Sequence, residues 1–403
     1  MIEEAEALAL VLAGVREGGG GGDEPVALHE VLGRYLAIDV RATVPIPGFD
    51  NSAMDGFAVR SADAGAGAVL RVTGEQPAGS DRRLRVGPGE AVRIFTGAPL
   101  PAGADAVVMQ EDTRPGGGDG LVEIVEAVAA GEFVRRRGAD LCEGQMVIRR
   151  GKRLRAGDVG VLASQGLAAV RCGRRPAVAV VATGDELVAP GGVLGSGQLY
   201  NSNSPMLAAL AGGAGCSQIR QLQLPDDREA LSRGLAGAAE ESDMVLVSGG
   251  VSVGAYDFVR EALEDIGVRM DFWKVRIKPG KPFAFGIRES DGTLFFGLPG
   301  NPVSSFVTFV AFVLPAIQRC MGADDADLGL PRIMARAAEE IRNDGDRPHY
   351  LRGVLAAGSG MFRPEGVQQS FALAGLGRAD ALARVAPGTV LAQGDPLEAM
   401  LLF

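Results

Sequence analysis

Histidine and aromatic residues are scarce in this chain of 403 residues, and its cysteines lack any metal-binding spacing. The two histidines, His29 and His349, lie in separate regions, so we expect neither a histidine-based zinc site nor a Ser-His-Asp triad. The four cysteines include no CxxC pair, which argues against a zinc ribbon and against a disulfide framework. This cysteine usage is typical of a protein of a reducing cytoplasm.

The chain also lacks an excess of basic residues and lacks long apolar runs. Fifty acidic residues against forty basic ones give a net charge of −10, which argues against a nucleic-acid-binding surface. The apolar runs fall short of the roughly 18 residues of a membrane span, and the N-terminus opens on Glu3, Glu4 and Glu6 rather than on a basic signal region. We therefore expect no membrane and no export, and an anionic ligand would need a local basic pocket.

Three glycine-rich turns form the most informative pattern that is present. They are SGGVSVG at Ser248–Gly254, KPGKP at Lys278–Pro282 and GLPGNP at Gly297–Pro302. Each follows or interrupts a short apolar run of strand character, so we expect the three turns to meet at one edge of a single sheet. Glycine lets backbone N–H groups approach a ligand, and the lysines add positive charge. The combination predicts a site for an anionic, phosphate-bearing ligand.

The pattern of elements predicts a multi-domain α/β fold. Apolar strands alternate with amphipathic helices over residues 175–326, which is typical of a doubly wound, mainly parallel sheet that binds ligands at the carboxyl ends of its strands. Short β runs predict an inserted β-rich domain over 44–140 and a C-terminal β-barrel-like domain over 327–403. Residues 1–43 and 141–174 are predicted to form a linking domain of helical and mixed structure. Its helices are predicted over 2–17 and 28–37.

Carboxylates follow the ends of several predicted strands. Thr183, Gly184, Asp185 and Glu186 follow the first strand, and either a ligand site or an N-cap explains the two acidic residues equally well. After the next strand, Asp227 is the better candidate for a helix cap, which leaves Asp226 free for a ligand.

Asp257 follows the third strand, just past SGGVSVG. Carboxylates from three strand ends of one sheet can converge on a Mg²⁺ ion that bridges phosphate oxygens. We therefore predict a magnesium site at this edge.

Four basic residues lie within eight positions, at Lys274, Arg276, Lys278 and Lys281. Strand alternation would put the first three on one face. Basic residues also protect exposed edge strands, but such an edge would not need the rigid KPGKP turns, so we favour a binding site. In GLPGNPVSS, the side chains of Asn301 and Ser304 can hydrogen-bond a ligand. An ordinary junction between a strand and a helix would use the same residues.

Two N-terminal motifs, PGFDNSAMDGFAV at 47–59 and TGAPLPAGADAVV at 96–108, are interpreted from spacing alone as constrained turns. Together with VATGDEL, SGGVSVG-x-YD, KPGKPFAFG and GLPGNPVS, they closely resemble the molybdopterin molybdenumtransferase family, the bacterial molybdenum-insertion enzymes related to the E domain of gephyrin. Six motifs in the family's order form a highly specific match that spans the chain. The resemblance implies a cytoplasmic homodimer that inserts molybdate into adenylylated molybdopterin and releases AMP, with Mg²⁺ as the assisting ion.

The resemblance also implies roles for individual residues. As catalytic and metal-binding positions it suggests Asp55, Thr96, Glu186, Asp226, Asp257, Lys274 and Lys278. As positions that bind the nucleotide, molybdate or pterin it suggests Thr183, Gly184, Ser248, Gly249, Gly250, Ser252, Gly254, Lys281, Pro299, Gly300, Asn301, Ser304, Arg352 and Ser370. Asp55 is expected to approach the α/β domain of the other subunit, so that the active site crosses the dimer interface. Further partners implied are the molybdopterin-adenylylating protein and the apoproteins of molybdoenzymes.

The chain departs from the family near its C-terminus, where Gln369-Ser370 is followed by Ala374-Gly375 instead of a pair of serines. A gephyrin-like scaffold that keeps the fold is one alternative function. An enzyme that adenylylates molybdopterin is another, since its α/β module would resemble residues from about 175 to 321. The N-terminal motifs and the C-terminal β domain favour insertion over adenylylation.

Overall fold

The computed structural model describes residues 1–15, 22–250 and 258–402. The contacts within the chain divide it into two compact units. The first unit comprises Met1–Ile38, Arg149–Val159 and Ala168–Phe403, and the second comprises Asp39–Ile148 and Gly160–Leu167.

The elements of the described residues are numbered in chain order. The helices are α1 (Glu4–Gly14), α2 (Ala156–Ser164), α3 (Asn203–Ala214), α4 (Arg228–Glu240), α5 (Phe258–Asp265), α6 (Pro302–Thr308), α7 (Leu314–Cys320) and α8 (Leu373–Leu376). The strands are β1 (Asp23–Ala27), β2 (Val40–Arg41), β3 (Asn51–Ser52), β4 (Gly56–Val59), β5 (Val69–Gln76), β6 (Glu90–Ile94), β7 (Ala106–Met109), β8 (Thr113–Pro115), β9 (Leu121–Ile124), β10 (Val134–Arg135), β11 (Met146–Ile148), β12 (Ala169–Gly173), β13 (Ala177–Thr183), β14 (Leu187–Val188), β15 (Leu199–Tyr200), β16 (Gln218–Leu224), β17 (Met244–Ser248), β18 (Val268–Phe272), β19 (Ala284–Arg288), β20 (Leu294–Leu298), β21 (Arg332–Ala337), β22 (Ile341–Asn343), β23 (His349–Ala356), β24 (Met361–Pro364), β25 (Ala381–Val385), β26 (Thr389–Leu391) and β27 (Pro396–Leu401).

The first unit is built around a six-stranded sheet with the order β16-β13-β17-β20-β19-β18. The first four strands are parallel, and the last two pair antiparallel at one side. The register places Thr183 beside Leu224 and Ser248 beside Leu298, so all four parallel strands end at the same edge. This arrangement confirms the predicted α/β fold class with a mainly parallel sheet.

Both faces of this sheet are buried. Along β13, Val178 and Val180 belong to one hydrophobic cluster, and Ala179 and Val181 belong to another on the opposite face. The sequence of a strand that is buried on both faces is continuously apolar and does not alternate between apolar and polar residues. The β13 sequence AVAVVAT is of this kind. The continuous run therefore reflects helix packing on both sides.

The longest helical stretch, Pro302–Cys320, lies 89% buried within the first unit. Its length and composition would allow it to cross a membrane, but buried core helices share these properties. Its middle, Phe309–Val313, is a π-helical section just before Pro315. Proline has no N–H for the helix ladder, and such a section accommodates the gap.

Although aromatics make up 5% of the sequence, several phenylalanines gather under this helix. The rings of Phe283 and Phe312 stack at 4.6 Å between centroids, and Phe285 meets Phe296 at 5.2 Å. Fully buried aromatic rings contribute strongly to a core because each removes a large apolar area from water. The stacking of Phe312 on Phe283 thereby packs the middle of the helical stretch against the residue that precedes β19.

A closed barrel with the order β21-β24-β23-β25-β27 follows in the same unit. Alanines, among them Ala335, Ala381 and Ala399, make up half of the buried hydrophobic cluster of this region. A side chain at Gly353 would overlap the ring of Phe362, so this position requires glycine. The barrel confirms the predicted C-terminal β structure.

The second unit contains a six-stranded sheet with the order β7-β4-β6-β5-β9-β8. Strand β4, which pairs with β6 and β7, lies within PGFDNSAMDGFAV, a motif interpreted from spacing alone as a constrained turn. A side chain on Gly56 would overlap the carbonyl oxygen of Val108 in the neighbouring strand β7. The glycine that suggested a turn therefore serves close packing between strands.

The predicted helix over 28–37 is wrong. Only Leu28–Glu30 forms a 3₁₀ turn, and Gly33 has a φ of 77°. The N–H groups of Gly33 and Leu36 donate to the carbonyls of Leu154 and Lys152 rather than to the preceding turn. Pairing with distant segments thus replaces the helical ladder.

The strand alternation invoked for Lys274, Arg276 and Lys278 does not come from a strand, because this segment makes only isolated bridges. The expected alternation nevertheless holds, since Val275 and Ile277 are fully buried between the more accessible basic residues. The side chains therefore alternate between buried and accessible positions, although the segment is not paired as a strand.

Candidate active site

Carboxylates from two neighbouring strand ends meet at the edge of the parallel sheet. The hydroxyl of Thr183, the last residue of β13, donates a hydrogen bond to Asp226, which lies beyond β16. The Asp226 N–H donates in turn to Asp185 Oδ1 at 3.3 Å. No helix follows Glu186, because β14 begins at Leu187, so the N-cap alternative for Asp185 is wrong. We call this group, Thr183–Glu186 and Asp226, the acidic edge.

Asp227 is the N-cap of α4, as predicted. Its Oδ1 accepts a hydrogen bond from the Ala230 N–H at 2.8 Å. The neighbouring Asp226 is thereby left out of the cap and is exposed at the edge.

Glu186 lies against the backbone of Gly184. An added Cβ at Gly184, whose φ is 144°, would come within 2.7 Å of Glu186 Oε2. The carboxylate oxygens of Glu186 and Asp226 are of the hard type that Mg²⁺ prefers. Among the described residues no group of three or more potential ligands forms a metal site, and the third predicted ligand, Asp257, lies outside them, as do Ser252 and Gly254.

The end of β17 approaches this edge closely because it carries glycines. Gly249 has a φ of 99°, and an added Cβ would come within 2.6 Å of the Thr183 carbonyl oxygen. Its N–H donates to the Leu298 carbonyl at 3.2 Å. Gly249 therefore needs to be glycine for conformation and for space.

Asn203, at the start of α3, joins two of the glycine-rich turns. Its Nδ2 donates to Ser248 Oγ and to the Gly300 carbonyl, both at 2.8 Å. The Gly300 carbonyl can only accept, which fixes the orientation of the amide. Asn203 Oδ1 is then buried without a partner among the described residues.

Asn301 and Ser304 lie at the start of the Pro302–Cys320 stretch. Pro302 occupies the first turn, as predicted, and the Asn301 side chain makes no capping hydrogen bond. The Val303 N–H donates to the Ser370 carbonyl at 3.1 Å. A segment of the C-terminal region thus covers one of the free N–H groups of the helix start.

These residues border a cavity of about 510 Å³, which we call the basic pocket. Its lining contains three cationic side chains and, among the described residues, no aspartate or glutamate. The lining residues are Lys278, Pro279, Gly280, Lys281, Pro282, Pro299, Asn301, Ser304, Arg347, Gln368, Gln369 and Ser370. In a chain with a net charge of −10, such a lining creates a local site for an anion.

Backbone hydrogen bonds fasten Lys278 to the barrel. Its N–H donates to the Pro348 carbonyl at 2.8 Å, and its carbonyl accepts from the Tyr350 N–H at 2.7 Å. The Lys278 side chain remains exposed in the pocket. Lys274 and Arg276 do not line it, and Arg276 forms ion pairs with Glu3 at 3.1 Å and with Asp346 at 3.4 Å.

Arg352 lies buried behind the pocket, with 1% of its surface exposed. Its guanidinium donates to the carbonyls of Val367 at 2.5 Å and Gln369 at 3.3 Å, and its Nε is buried without a partner among the described residues. Burial lowers the pKa of Arg352. No carboxylate in the described part of the chain pairs with it, so its charge is uncompensated.

The pKa of His349 reflects the positive charge of this region. Burial, and then the positive charges of Lys278, Arg352 and Arg347, lower the pKa of its imidazole to about 4. His349 is therefore neutral at pH 7, and its Nε2 is buried without a partner among the described residues. A basic environment of this kind disfavours a further positive charge.

In the second unit, the structure brings together two residues from separate sequence motifs. Asp55 Oδ1 accepts hydrogen bonds from the Thr96 N–H at 2.7 Å and from the Thr96 hydroxyl at 2.8 Å. These two hydrogen bonds lower the pKa of Asp55, and both residues are exposed. The pair presents a charged, fixed carboxylate to its surroundings.

Sequence reasoning missed several residues of the site. Arg347, Gln368 and Gln369 line the basic pocket but belong to no glycine-rich turn. Asn203 belongs to the polar run Asn201–Ser204 before Pro205, which was a usable signal. No comparable local pattern marks the other three.

Comparisons with known proteins agree along the chain. Family models described as "MoeA N-terminal region (domain I and II)", "Probable molybdopterin binding domain" and "MoeA C-terminal region (domain IV)" match residues 2–166, 179–319 and 334–402. The crystal structure of the molybdopterin biosynthesis moeA protein from Pyrococcus horikoshii OT3 is similar, with a TM-score of 0.84 and 28% identity, over 100% of both chains.

Two curated relatives extend this picture. Gephyrin of Dictyostelium discoideum is 33% identical over 82% of this chain and 52% of its own length. The molybdopterin molybdenumtransferase of Haemophilus influenzae is 42% identical over 82% of this chain and 80% of its own. The chain therefore belongs to the molybdopterin molybdenumtransferase family.

Proposed function

We propose that this protein inserts molybdate into adenylylated molybdopterin during molybdenum cofactor biosynthesis and releases AMP. The observation that carries the proposal is the basic pocket, which is lined by Lys278, Lys281 and Arg347 and, within the described residues, by no carboxylate. It adjoins the GLPGNP turn at the edge where the parallel strands end. Molybdate is a tetrahedral dianion, and such a lining suits it.

The buried charge of Arg352 supports an anionic ligand. A buried, unpaired guanidinium is costly, because desolvation is not offset by an opposite charge. A dianion in the neighbouring pocket would compensate it. His349 beside Lys278 is neutral, so it adds no further charge to the surroundings of the anion.

The acidic edge is proposed as the nucleotide and metal side. Glu186 and Asp226, with Asp257, would hold Mg²⁺, which would polarise the phosphoanhydride that joins AMP to molybdopterin phosphate. Thr183, Gly184 and the Ser248–Gly250 turn offer backbone and hydroxyl groups close to the ligand. Hydrolysis of the anhydride would break one P–O bond and form another to the oxygen of water, so that AMP leaves with its phosphate and molybdopterin keeps its own.

The remaining assignments belong to the same proposal. Lys274 and Ser370 would contact molybdate or pterin, and the Asp55–Thr96 pair would complete the site from the partner subunit of a cytoplasmic homodimer. The fixed, charged carboxylate of Asp55 supports such a role. The molybdopterin-adenylylating protein and the apoproteins would be its macromolecular partners.

A gephyrin-like scaffold is the alternative function, since gephyrin is among the relatives. A scaffold needs no pocket that collects uncompensated positive charge. The charge distribution favours the enzyme.

The test is to supply purified protein with adenylylated molybdopterin, Mg²⁺ and increasing molybdate. We expect AMP release that rises and saturates with molybdate, together with cofactor that activates an apoenzyme. AMP release that does not depend on molybdate would contradict the proposal. A matched reaction with sulfate in place of molybdate controls for a nonspecific effect of a dianion.

A further inference from the structure

Two arginines of the C-terminal barrel region lie near the basic pocket, and the structure gives them different surroundings. We propose that Arg347 contacts the bound oxyanion directly and that Arg352 is a positioning residue that holds the segment Val367–Ser370 against the pocket. The inference rests on the proposed function of the pocket. It adds Arg347 to the site residues.

Arg347 lies on the short connection between β22 and β23 and lines the pocket. The Asn343 side-chain amide donates to the Arg347 carbonyl at 2.9 Å, which fixes the backbone, and Nη1 of Arg347 donates to the Ile277 carbonyl at 3.2 Å. About 28% of its side chain is exposed. An anchored guanidinium that borders the cavity offers its other N–H groups to an anion as a planar fork.

The neighbouring Asp346 does not neutralise this group. Its carboxylate lies 3.6 Å from Arg347 Nε, its side chain is 72% exposed, and it also pairs with Arg276. Exposed ion pairs of this kind contribute little, because water screens both charges. The positive charge of Arg347 therefore remains available to the pocket.

Arg352 differs because carbonyl oxygens occupy its guanidinium. It donates to Val367 and Gln369, and the Gln368 side chain bonds both the N–H and the carbonyl of Arg352 at 3.0 and 2.9 Å. These contacts hold the segment whose last residue, Ser370, accepts from Val303. Arg352 is absent from the lining of the pocket, so it would act on a bound anion through the segment that it holds and through its charge, without direct contact.

The experiment compares Arg347→Gln and Arg347→Lys with Arg342→Gln, measuring molybdate-dependent AMP release. Arg342 is an exposed arginine of the adjoining strand β22 that pairs with Glu340, so it is a matched control. We expect Arg347→Gln to raise KM for molybdate about 10-fold to 100-fold with a smaller change in kcat, as loss of a charge-assisted contact predicts. Arg347→Lys should recover part of this loss, because lysine restores charge but not the fork. A wild-type KM in Arg347→Gln would overturn the inference.

Hydrogen exchange at the Val303 amide separates the two arginines. Arg352→Gln should release the segment and accelerate this exchange, whereas Arg347→Gln should leave it unchanged. Unchanged exchange in Arg352→Gln would overturn the positioning role.

Sulfate binding can be measured without turnover, through the NMR signal of the His349 imidazole. Sulfate should raise the pKa of His349 in the wild type and less so in Arg347→Gln, while the exposed His29 serves as internal control. Equal responses of the wild type and Arg347→Gln would contradict a direct contact. If the wild type responds to sulfate but releases no AMP, the proposed function fails and the anion contact stands.

Discussion

The acidic edge and the basic pocket belong to the same unit, yet they are assembled differently. The acidic edge comes from turns that directly follow β13 and β16, and its residues are neighbours because those strands pair in parallel. The basic pocket combines Lys278 and Lys281 with Arg347 and with Gln368–Ser370, which lie far along the chain. One half of the site is a product of local turns in a sheet, and the other depends on long-range packing.

The two halves also differ in charge and in the chemistry that each can perform. Carboxylates at the edge suit a cation and the phosphates that it bridges, whereas cations in the pocket suit a tetrahedral anion. Among the described residues no carboxylate of the acidic edge lines the basic pocket. Substitutions in one half should therefore leave the binding function of the other intact.

The largest effect is expected from Lys278→Gln. Loss of a cation that lines the pocket should lower molybdate-dependent turnover at subsaturating molybdate by about 100-fold, equivalent to roughly 3 kcal/mol of transition-state stabilisation. Folding should be retained, because the structural contacts of Lys278 are made by its backbone. Steady-state kinetics and a thermal melt would measure both.

Lys152→Gln is the matched control for Lys278→Gln, since Lys152 pairs with Asp158 on the surface at 2.5 Å. It should keep wild-type kinetics. Near-normal turnover of Lys278→Gln would remove the pocket from the reaction and with it the contrast between the two halves.

A smaller effect is expected from Asp226→Asn. The substitution removes one negative charge from the acidic edge but preserves shape and the bond from Thr183, so turnover should fall about 10-fold and the Mg²⁺ requirement should rise. Asp227→Asn is the control, because asparagine caps helices as well as aspartate does. Titration with Mg²⁺ would measure cation binding at the acidic edge, and titration with sulfate would measure anion binding in the basic pocket. Weakened sulfate binding in Asp226→Asn would show that the two halves are not independent.

The smallest effect concerns pH. Because the pKa of His349 is about 4 in the folded protein and near 6.5 otherwise, the unfolded state binds more protons between these values. Acidification therefore destabilises the fold, by about 1 kcal/mol between pH 7 and pH 5.5 from this residue alone. Urea unfolding of the wild type and of His349→Gln should show a steeper loss in the wild type, and parallel losses would argue against the basic environment.

The acidic edge was largely predictable from sequence. A strand that ends in Thr-Gly-Asp-Glu and another that ends in Pro-Asp-Asp identify their own ends, and parallel pairing brings those ends together. The cap formed by Asp227 followed from the same local pattern. What spacing could not decide was the role of Asp185, because that depended on whether a helix or a strand came next.

The basic pocket was predictable only in part. KPGKP and GLPGNP were recognisable as turns, but Arg347 and Gln368 join them through packing of the barrel, which no local periodicity encodes. The resemblance suggested Arg352, and its burial behind the pocket depended on the tertiary structure. The false helix over 28–37 has the same origin, because long-range hydrogen bonds replaced local ones.

The hydrogen bond between the Val303 amide and the Ser370 carbonyl has a consequence for the growing polypeptide during translation. A nascent chain that has emerged as far as α7 already contains all the strands of the parallel sheet and the carboxylates at their ends. It still lacks Arg347 and the segment that closes over the helix start. If the proposed roles of the two halves hold, the basic pocket is therefore completed last, and a chain truncated after α7 should bind nucleotide but fail to bind molybdate.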